Sequence, residues 1–178
     1  SWDRGNSWDL SLDAPMFTDV SVSPDNDSIA IAVCGNFDSP NKGLYVTFDA
    51  GQEWIKATGD IPDFNGKGRL DFALNDSGVA YASIGEGFST SGPMATWTLR
   101  TEDYGLSWEE VSDVDYSRWQ GWFAHDIAVH PMNSDTIIGI GLFIHRSEKA
   151  GDEFEQVTRN PQVTQGRPPV GGPDGPLH

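Results

Sequence analysis

The chain has 178 residues, 37% of them hydrophobic and 11% aromatic, with a formal net charge of −16. That is apolar material for one globular domain and too much for a disordered segment. The charge excludes a nucleic-acid partner, because phosphate binding needs clustered Lys and Arg and the 11 here are scattered.

An anionic membrane surface is disfavoured for the same reason, and no apolar run is long enough for membrane insertion. The acidity suits solubility in a salty or extracellular medium. The sequence begins at Ser1 and not at Met. A processed or truncated product is therefore expected, and the absence of a signal peptide carries no information on export.

In chain order, the octapeptide Ser1-Trp-Asp3-Arg-Gly5-Asn-Ser-Trp8 comes first. Strand-like runs are then predicted over 19–24, 29–33, 43–47 and 53–57. The second run leads into Cys34, the chain's single cysteine, which precludes an intrachain disulfide and reads as a buried small side chain. A second set of four is predicted over 71–75, 79–84, 96–101 and 107–111, and a third over 126–131, 136–140, 142–147 and 153–157. Each set has a turn cluster after its first strand: Asp25-Asn-Asp27, Asp76-Ser-Gly78 and Asn133-Ser-Asp135. Residues 158–178 are rich in Pro and Gly and show no strand pattern.

The opening octapeptide recurs. Thr47-Phe-Asp49-Ala-Gly51-Gln-Glu-Trp54 and Thr101-Glu-Asp103-Tyr-Gly105-Leu-Ser-Trp108 are full copies. Ser147-Glu-Lys149-Ala-Gly151-Asp-Glu-Phe154 is a copy without its Asp. The third positions are 3, 49, 103 and 149, so the period is 46, 54 and 46 residues. Each residue type has a physical task in a hairpin. Asp accepts hydrogen bonds from backbone N–H groups, and Ser or Thr ties the same loop. Gly supplies the left-handed backbone, and the aromatic packs back onto the sheet. Four strands per repeat without helical period predict an all-β, partial β-propeller. Its hairpins would join the third and fourth strands of each blade. Residues 1–12 end a preceding blade, 13–57, 58–111 and 112–157 make three whole ones, and 158–178 lead to a missing next one. An arc of this kind is expected to belong to a longer polypeptide or to complete its ring with a partner chain, since its end faces are apolar.

The motif resembles that of the BNR/Asp-box repeat family. In that family the motif residues hold peripheral hairpins, so the resemblance implies a structural role for Ser1, Asp3, Gly5, Trp8, Thr47, Asp49, Gly51, Trp54, Thr101, Asp103, Gly105, Trp108, Ser147, Gly151 and Phe154. Gln120-Gly-Trp122-Phe123, followed by Ile127-Ala-Val-His-Pro131, is similar to a segment of large bacterial surface propellers with sortilin-like repeats. That likeness implies a secreted, periplasmic or cell-surface location. The Phe/Tyr-Arg-Ile-Pro signature of the sialidases is absent.

Glycoside hydrolysis needs two carboxylates flanking a bond. Asp19, Asp71 and Asp126 each open a first strand, and first strands line a propeller's channel. They read either as a ring of carboxylates, with Asp71 and Asp126 the catalytic candidates, or as caps on neighbouring backbone N–H groups. His125 and His130, five residues apart, fit no zinc template, and no metal or cofactor is expected. The segment Tyr116-Ser-Arg118-Trp119-Gln120-Gly-Trp122-Phe123 has the aromatic and Arg content of a binding loop. Trp122 and Phe123 read alternatively as packing between blades. Phe88-Ser-Thr-Ser-Gly92 is a second candidate rim loop. The leading expectation is a non-catalytic module that binds protein or carbohydrate. Its rivals are part of a glycoside hydrolase, xyloglucanase- or sialidase-like, and an assembly subunit.

Overall fold

The computed structural model describes residues 1–86 and 95–158. The first sheet orders β1 (Phe17–Val22), β2 (Ala30–Cys34), β3 (Gly43–Thr47) and β4 (Ile55–Lys56) side by side. The second contains β5 (Thr58–Gly59), β6 (Gly68–Phe72), β7 (Ala80–Gly85), β8 (Thr96–Thr101) and β9 (Ser107–Ser112), in the order β5-β9-β8-β7-β6. The third orders β10 (Asp126–His130), β11 (Asn133–Ile140), β12 (Ile144–Ser147) and β13 (Glu155–Gln156). All pairings are antiparallel except that of β5 with β9. That parallel edge strand makes the second sheet five-stranded where the sequence predicts four. The chain leaves β4 and runs along the outside of the next sheet before crossing to its innermost strand.

Burial follows each sheet's position. β2, β3 and β7 are buried almost throughout, because both faces of those strands are covered. In β10 and β11 buried and exposed residues alternate, the signature of a sheet covered on one face. The first core lies between sheets one and two, with Ile31, Val33, Leu44 and Val46 against Leu70, Phe72, Ala82 and Ile84. The second joins sheets two and three through Tyr81, Ile127 and Ile137. β6 lies between β1 and β10, so the three first strands are adjacent and the sheets fan outward from them.

The hairpins fix a common register. Thr47 pairs with Ala30, Thr101 with Ala80 and Ser147 with Ile137. Ile31, Tyr81 and Ile138 are therefore equivalent, as are Val33, Ser83 and Ile140. On the innermost strands these last three pair with Asp19, Arg69 and Asp126.

The hairpin itself is built alike four times. The Ser or Thr hydroxyl oxygen accepts the glycine N–H, Ser1 from Gly5 at 2.8 Å, Thr47 from Gly51 at 2.9 Å, Thr101 from Gly105 at 3.0 Å and Ser147 from Gly151 at 3.1 Å. In the three copies with a carboxylate, Asp3, Asp49 and Asp103 each accept the N–H four residues on at 2.9 Å. The residue before each glycine is also left-handed (Arg4, Ala50, Tyr104 and Ala150, φ 53° to 62°), which gives the two consecutive positive φ angles of a tight hairpin turn. The copy at Ser147 keeps this shape without Asp.

Several sequence expectations are corrected. The aromatic anchor is buried only where a sheet lies beneath it: Trp108 is 3% exposed but Trp8 is 79% exposed, since residues 1–16 form no strand. Asn133-Ser-Asp135 is not a turn; β11 begins at Asn133 and the turn shrinks to Pro131 and Met132. Only Asp126 opens its strand, because β1 starts at Phe17 and β6 at Gly68. Cys34 is buried, as expected. The 158–178 segment, beyond its first residue, and the Phe88–Gly92 loop lie outside the described residues.

Candidate functional site

The inner surface carries a row of charges. Asp19, Arg69 and Asp126 stand at one level on β1, β6 and β10, with Arg69 Nη1 3.6 Å from Asp19 Oδ1 and Nε 3.9 Å from Asp126 Oδ1. The ring of three aspartates is thus corrected to Asp–Arg–Asp. Asp71 lies two residues further along β6, opposite Tyr81, where the other sheets place Ser21 and Ala128.

Two of these carboxylates are latches. Asp19 Oδ2 accepts the backbone N–H of Leu70 at 2.9 Å, and Asp71 Oδ2 accepts that of Val129 at 2.8 Å. Each joins its own first strand to the first strand of the next sheet. Thr18 adds a reciprocal pair with Gly68, its hydroxyl donating to the carbonyl and accepting the N–H. The Asp71 carboxyl is held above its ordinary range, chiefly by burial and then by the charges of Asp126 and Asp19. Burial, then Arg69, lowers Lys67, whose ammonium donates to the Phe123 carbonyl at 3.2 Å. The Asp126 side chain is 57% exposed.

A buried polar relay lies beside this row. The Tyr116 hydroxyl donates to Ser83 Oγ at 2.6 Å, and Ser83 Oγ lies 2.7 Å from His125 Nδ1. His125 Nε2 faces the carbonyls of Lys67 (2.9 Å) and Gly121 (3.1 Å). Carbonyls only accept, so Nε2 carries the proton and Nδ1 accepts from Ser83. Burial pushes the imidazole down to about 4 and the Tyr116 phenol up to about 12. The arrangement has the order of a hydroxyl–imidazole nucleophile, but Ser83 and Tyr116 are fully buried and no substrate reaches them. Its effect is to pin the segment before β10. Both His125 nitrogens are occupied by protein partners, and among the described residues no cluster of His, Cys, Asp and Glu could hold a metal.

The segment before β10 holds the binding candidates, and the structure divides them. Tyr116 is corrected to a core residue: it is packed against Gly139, where a methyl group would lie 2.7 Å from its ring. Arg118, Trp119 and Gln120 form a short 3-10 turn, and the Arg118 N–H donates to Asp115 Oδ1 at 2.6 Å. The Arg118 guanidinium lies 5.1 Å above the Phe143 ring. Trp122 is flanked by Phe123 at 5.3 Å and by Phe37, from the β2–β3 connection, at 6.0 Å between ring centres. Phe37 and Phe123 are 44% and 60% exposed, so the three rings form an aromatic patch at the end of the sheets where Lys67 begins the inner row. Sequence reasoning missed Phe37, whose left-handed backbone (φ 59°, ψ 33°) has no sequence signal, and missed Arg69.

The sequence matches no protein-family model and no curated protein. Among solved structures, an ancestral GH74 enzyme superposes with a TM-score of 0.66 at 14% identity, over 90% of this chain and 21% of its own. The GH74 xyloglucanase of Xanthomonas campestris gives 0.58 at 16% identity, over 82% and 24%. YCF48 bound to a D1 peptide gives 0.56 at 19% identity, over 86% and 46%. This chain therefore spans between a fifth and a half of these proteins, and at such identities the likeness concerns the fold. The radial sheets, the adjacent inner strands and these β-propeller neighbours agree: the chain is an all-β arc of a β-propeller.

Proposed function

We propose that this arc is a non-catalytic recognition module, built from Asp-box repeats of the sortilin-like kind and displayed outside the cytoplasm, that binds a protein or glycan at the aromatic end of its sheets. The observation carrying this reading is the patch of Phe37, Trp122 and Phe123, drawn from two segments distant in sequence and set beside the inner charged row. Exposed rings beside hydrogen-bonding charges suit both a peptide and a sugar face. YCF48, a propeller solved with a D1 peptide, lends support to a peptide ligand. The strong acidity suits an extracellular medium. Asp19 and Asp71 are engaged in latching, which removes two of the three first-strand carboxylates from catalysis. The test is a glycan and peptide array probed with the chain and with Trp122→Ala/Phe123→Ala. The double substitution should abolish the binding of whatever ligand the array returns and leave thermal unfolding unchanged; retained binding overturns this site.

A second reading is favoured by the GH74 similarity and by exposed Asp126 beside Arg69. In it the arc contributes one carboxylate to a glycoside hydrolase. Xyloglucan hydrolysis by the wild-type chain, lost in Asp126→Asn, would establish it.

A further inference from the structure

Arg69 occupies a level at which sheet one carries a fastening carboxylate. Asp19, Arg69 and Asp126 are equivalent by register, and Asp19 fastens sheet one to sheet two through the Leu70 N–H. A guanidinium has no acceptor, so Arg69 cannot hold sheet three in this way. That task passes to Asp71, two residues along the same strand, which accepts the Val129 N–H. A cation thus stands on the innermost strand of the middle sheet without latching one sheet to the next. β6 has β1 on one side and β10 on the other, so both flanks of Arg69 come from this chain.

The donors of this cation are unused. Arg69 reaches Asp19 and Asp126 at 3.6 and 3.9 Å, beyond hydrogen-bond length. Its Nε is buried and unbonded, and among the described residues no acceptor takes a hydrogen bond from its terminal nitrogens. The carboxylates are turned to main-chain amides, Asp19 to Val20 and Leu70 and Asp126 to Ile127. Donors and acceptors therefore lie side by side across gaps that they do not close themselves. The charge is close to balanced, with Lys67 and Arg69 against Asp19 and Asp126, while burial disfavours the charge on Asp71. Lys67 precedes Arg69 by two residues, about 7 Å of extended chain. Its ammonium holds the Phe123 carbonyl and so joins this row to the aromatic patch.

We propose that the row binds a neutral carbohydrate, the Arg69 fork donating to two neighbouring hydroxyls of one sugar ring and the flanking carboxylates accepting the hydroxyl protons. A hydroxyl accepts and donates through one oxygen, so it fits between a guanidinium and a carboxylate. A carboxylate ligand offers acceptors alone and meets two aspartates, and a trans peptide unit points its N–H and its carbonyl in opposite directions. The net charge of −16 disfavours anionic sugars. The rings of Trp122 and Phe123 take the C–H face of an adjoining sugar. This inference rests on the reading of the aromatic end as a ligand site and narrows its two ligand classes to one.

An array of maltohexaose, cellohexaose, mannohexaose and xylohexaose, with their periodate-oxidised and sulfated forms and a peptide set, tests it on the full chain. Binding to at least one neutral oligosaccharide is expected, unchanged between low and high salt. It should vanish once periodate has cleaved the vicinal diols. Arg69→Lys keeps a positive charge between the two aspartates but loses the fork. It should weaken binding by about tenfold or more while leaving thermal unfolding unchanged, and Arg69→Gln should weaken it at least as far. Full binding by Arg69→Lys, with loss in Trp122→Ala/Phe123→Ala, overturns this inference and leaves the aromatic site standing. Binding lost in Arg69→Lys and kept in the aromatic double variant overturns the aromatic site alone. Binding confined to peptides or sulfated sugars, or none to any neutral oligosaccharide, overturns the inference.

Discussion

Gly68 lies directly against Val33 of the neighbouring sheet: a methyl group on Gly68 would lie 2.3 Å from Val33 Cγ2 and 2.6 Å from Cγ1. β6 rests its glycine backbone directly on the Val33 side chain of the first sheet. Gly68→Ala should destabilise the fold by about 1–3 kcal/mol through overpacking. Adding Val33→Ala should recover part of that loss, because the two positions share one space. Thermal unfolding of the two single variants and the double variant measures both effects.

Asp71 separates charge from hydrogen bonding. Its carboxyl is held above the ordinary range by burial, so ionisation at this site is unfavourable, while Val129 needs an acceptor. Asp71→Asn keeps an acceptor and removes the charge, and should leave stability within about 0.5 kcal/mol. Asp71→Ala orphans the Val129 N–H and should cost about 1–3 kcal/mol. Urea unfolding of both variants decides the point, and equal losses would exclude a latch.

In the third hairpin Asp103 accepts the N–H and the hydroxyl of Ser107 and the hydroxyl of Thr101. Asp103→Ala should cost about 1–2 kcal/mol. Ser147→Ala, in the copy that lacks Asp, removes the acceptor for both Lys149 and Gly151 and should cost a similar amount. Hydrogen exchange should accelerate at Ser107 in the first variant and at Gly151 in the second.

His125 makes stability depend on pH. Its ordinary value is 6.5, and burial lowers it to about 4 in the folded chain. Between these values the unfolded chain takes up a proton that the folded chain refuses. The contribution is therefore complete above pH 6.5 and is lost as pH falls toward 4, by at most about 3 kcal/mol. Burial shifts His145 in the same sense. His125→Asn should flatten this part of the urea-unfolding profile between pH 7 and pH 4.5, relative to the wild type.

What could be read from the sequence was local. The hairpins are octapeptides whose Ser or Thr, Asp and Gly act on one another, and the structure forms them at Ser1, Thr47, Thr101 and Ser147. Strand periodicity located the four-stranded units to within a few residues. Register was not legible, because a bulge at Thr18 and the early start of β6 decide which residues stand level. That is why Arg69 takes the place assigned to Asp71. Tyr116 read as loop because its neighbours in sequence are polar, while its burial depends on Ser83, Thr98 and Gly139. Phe37 joins Trp122 only through the packing of sheet on sheet.

The latching oxygens of Asp19 and Asp71 grip main-chain amides, those of Leu70 and Val129. Leu70 and Val129 could each be exchanged for another residue with an N–H, and the grip would persist. The latch thus asks of the strand it holds only a main-chain N–H, and the demand on that strand's side chains comes from the packing between the sheets. A junction fastened in this way tolerates exchange of the side chain at the amide it grips, so long as the packing around Leu70 and Val129 is kept.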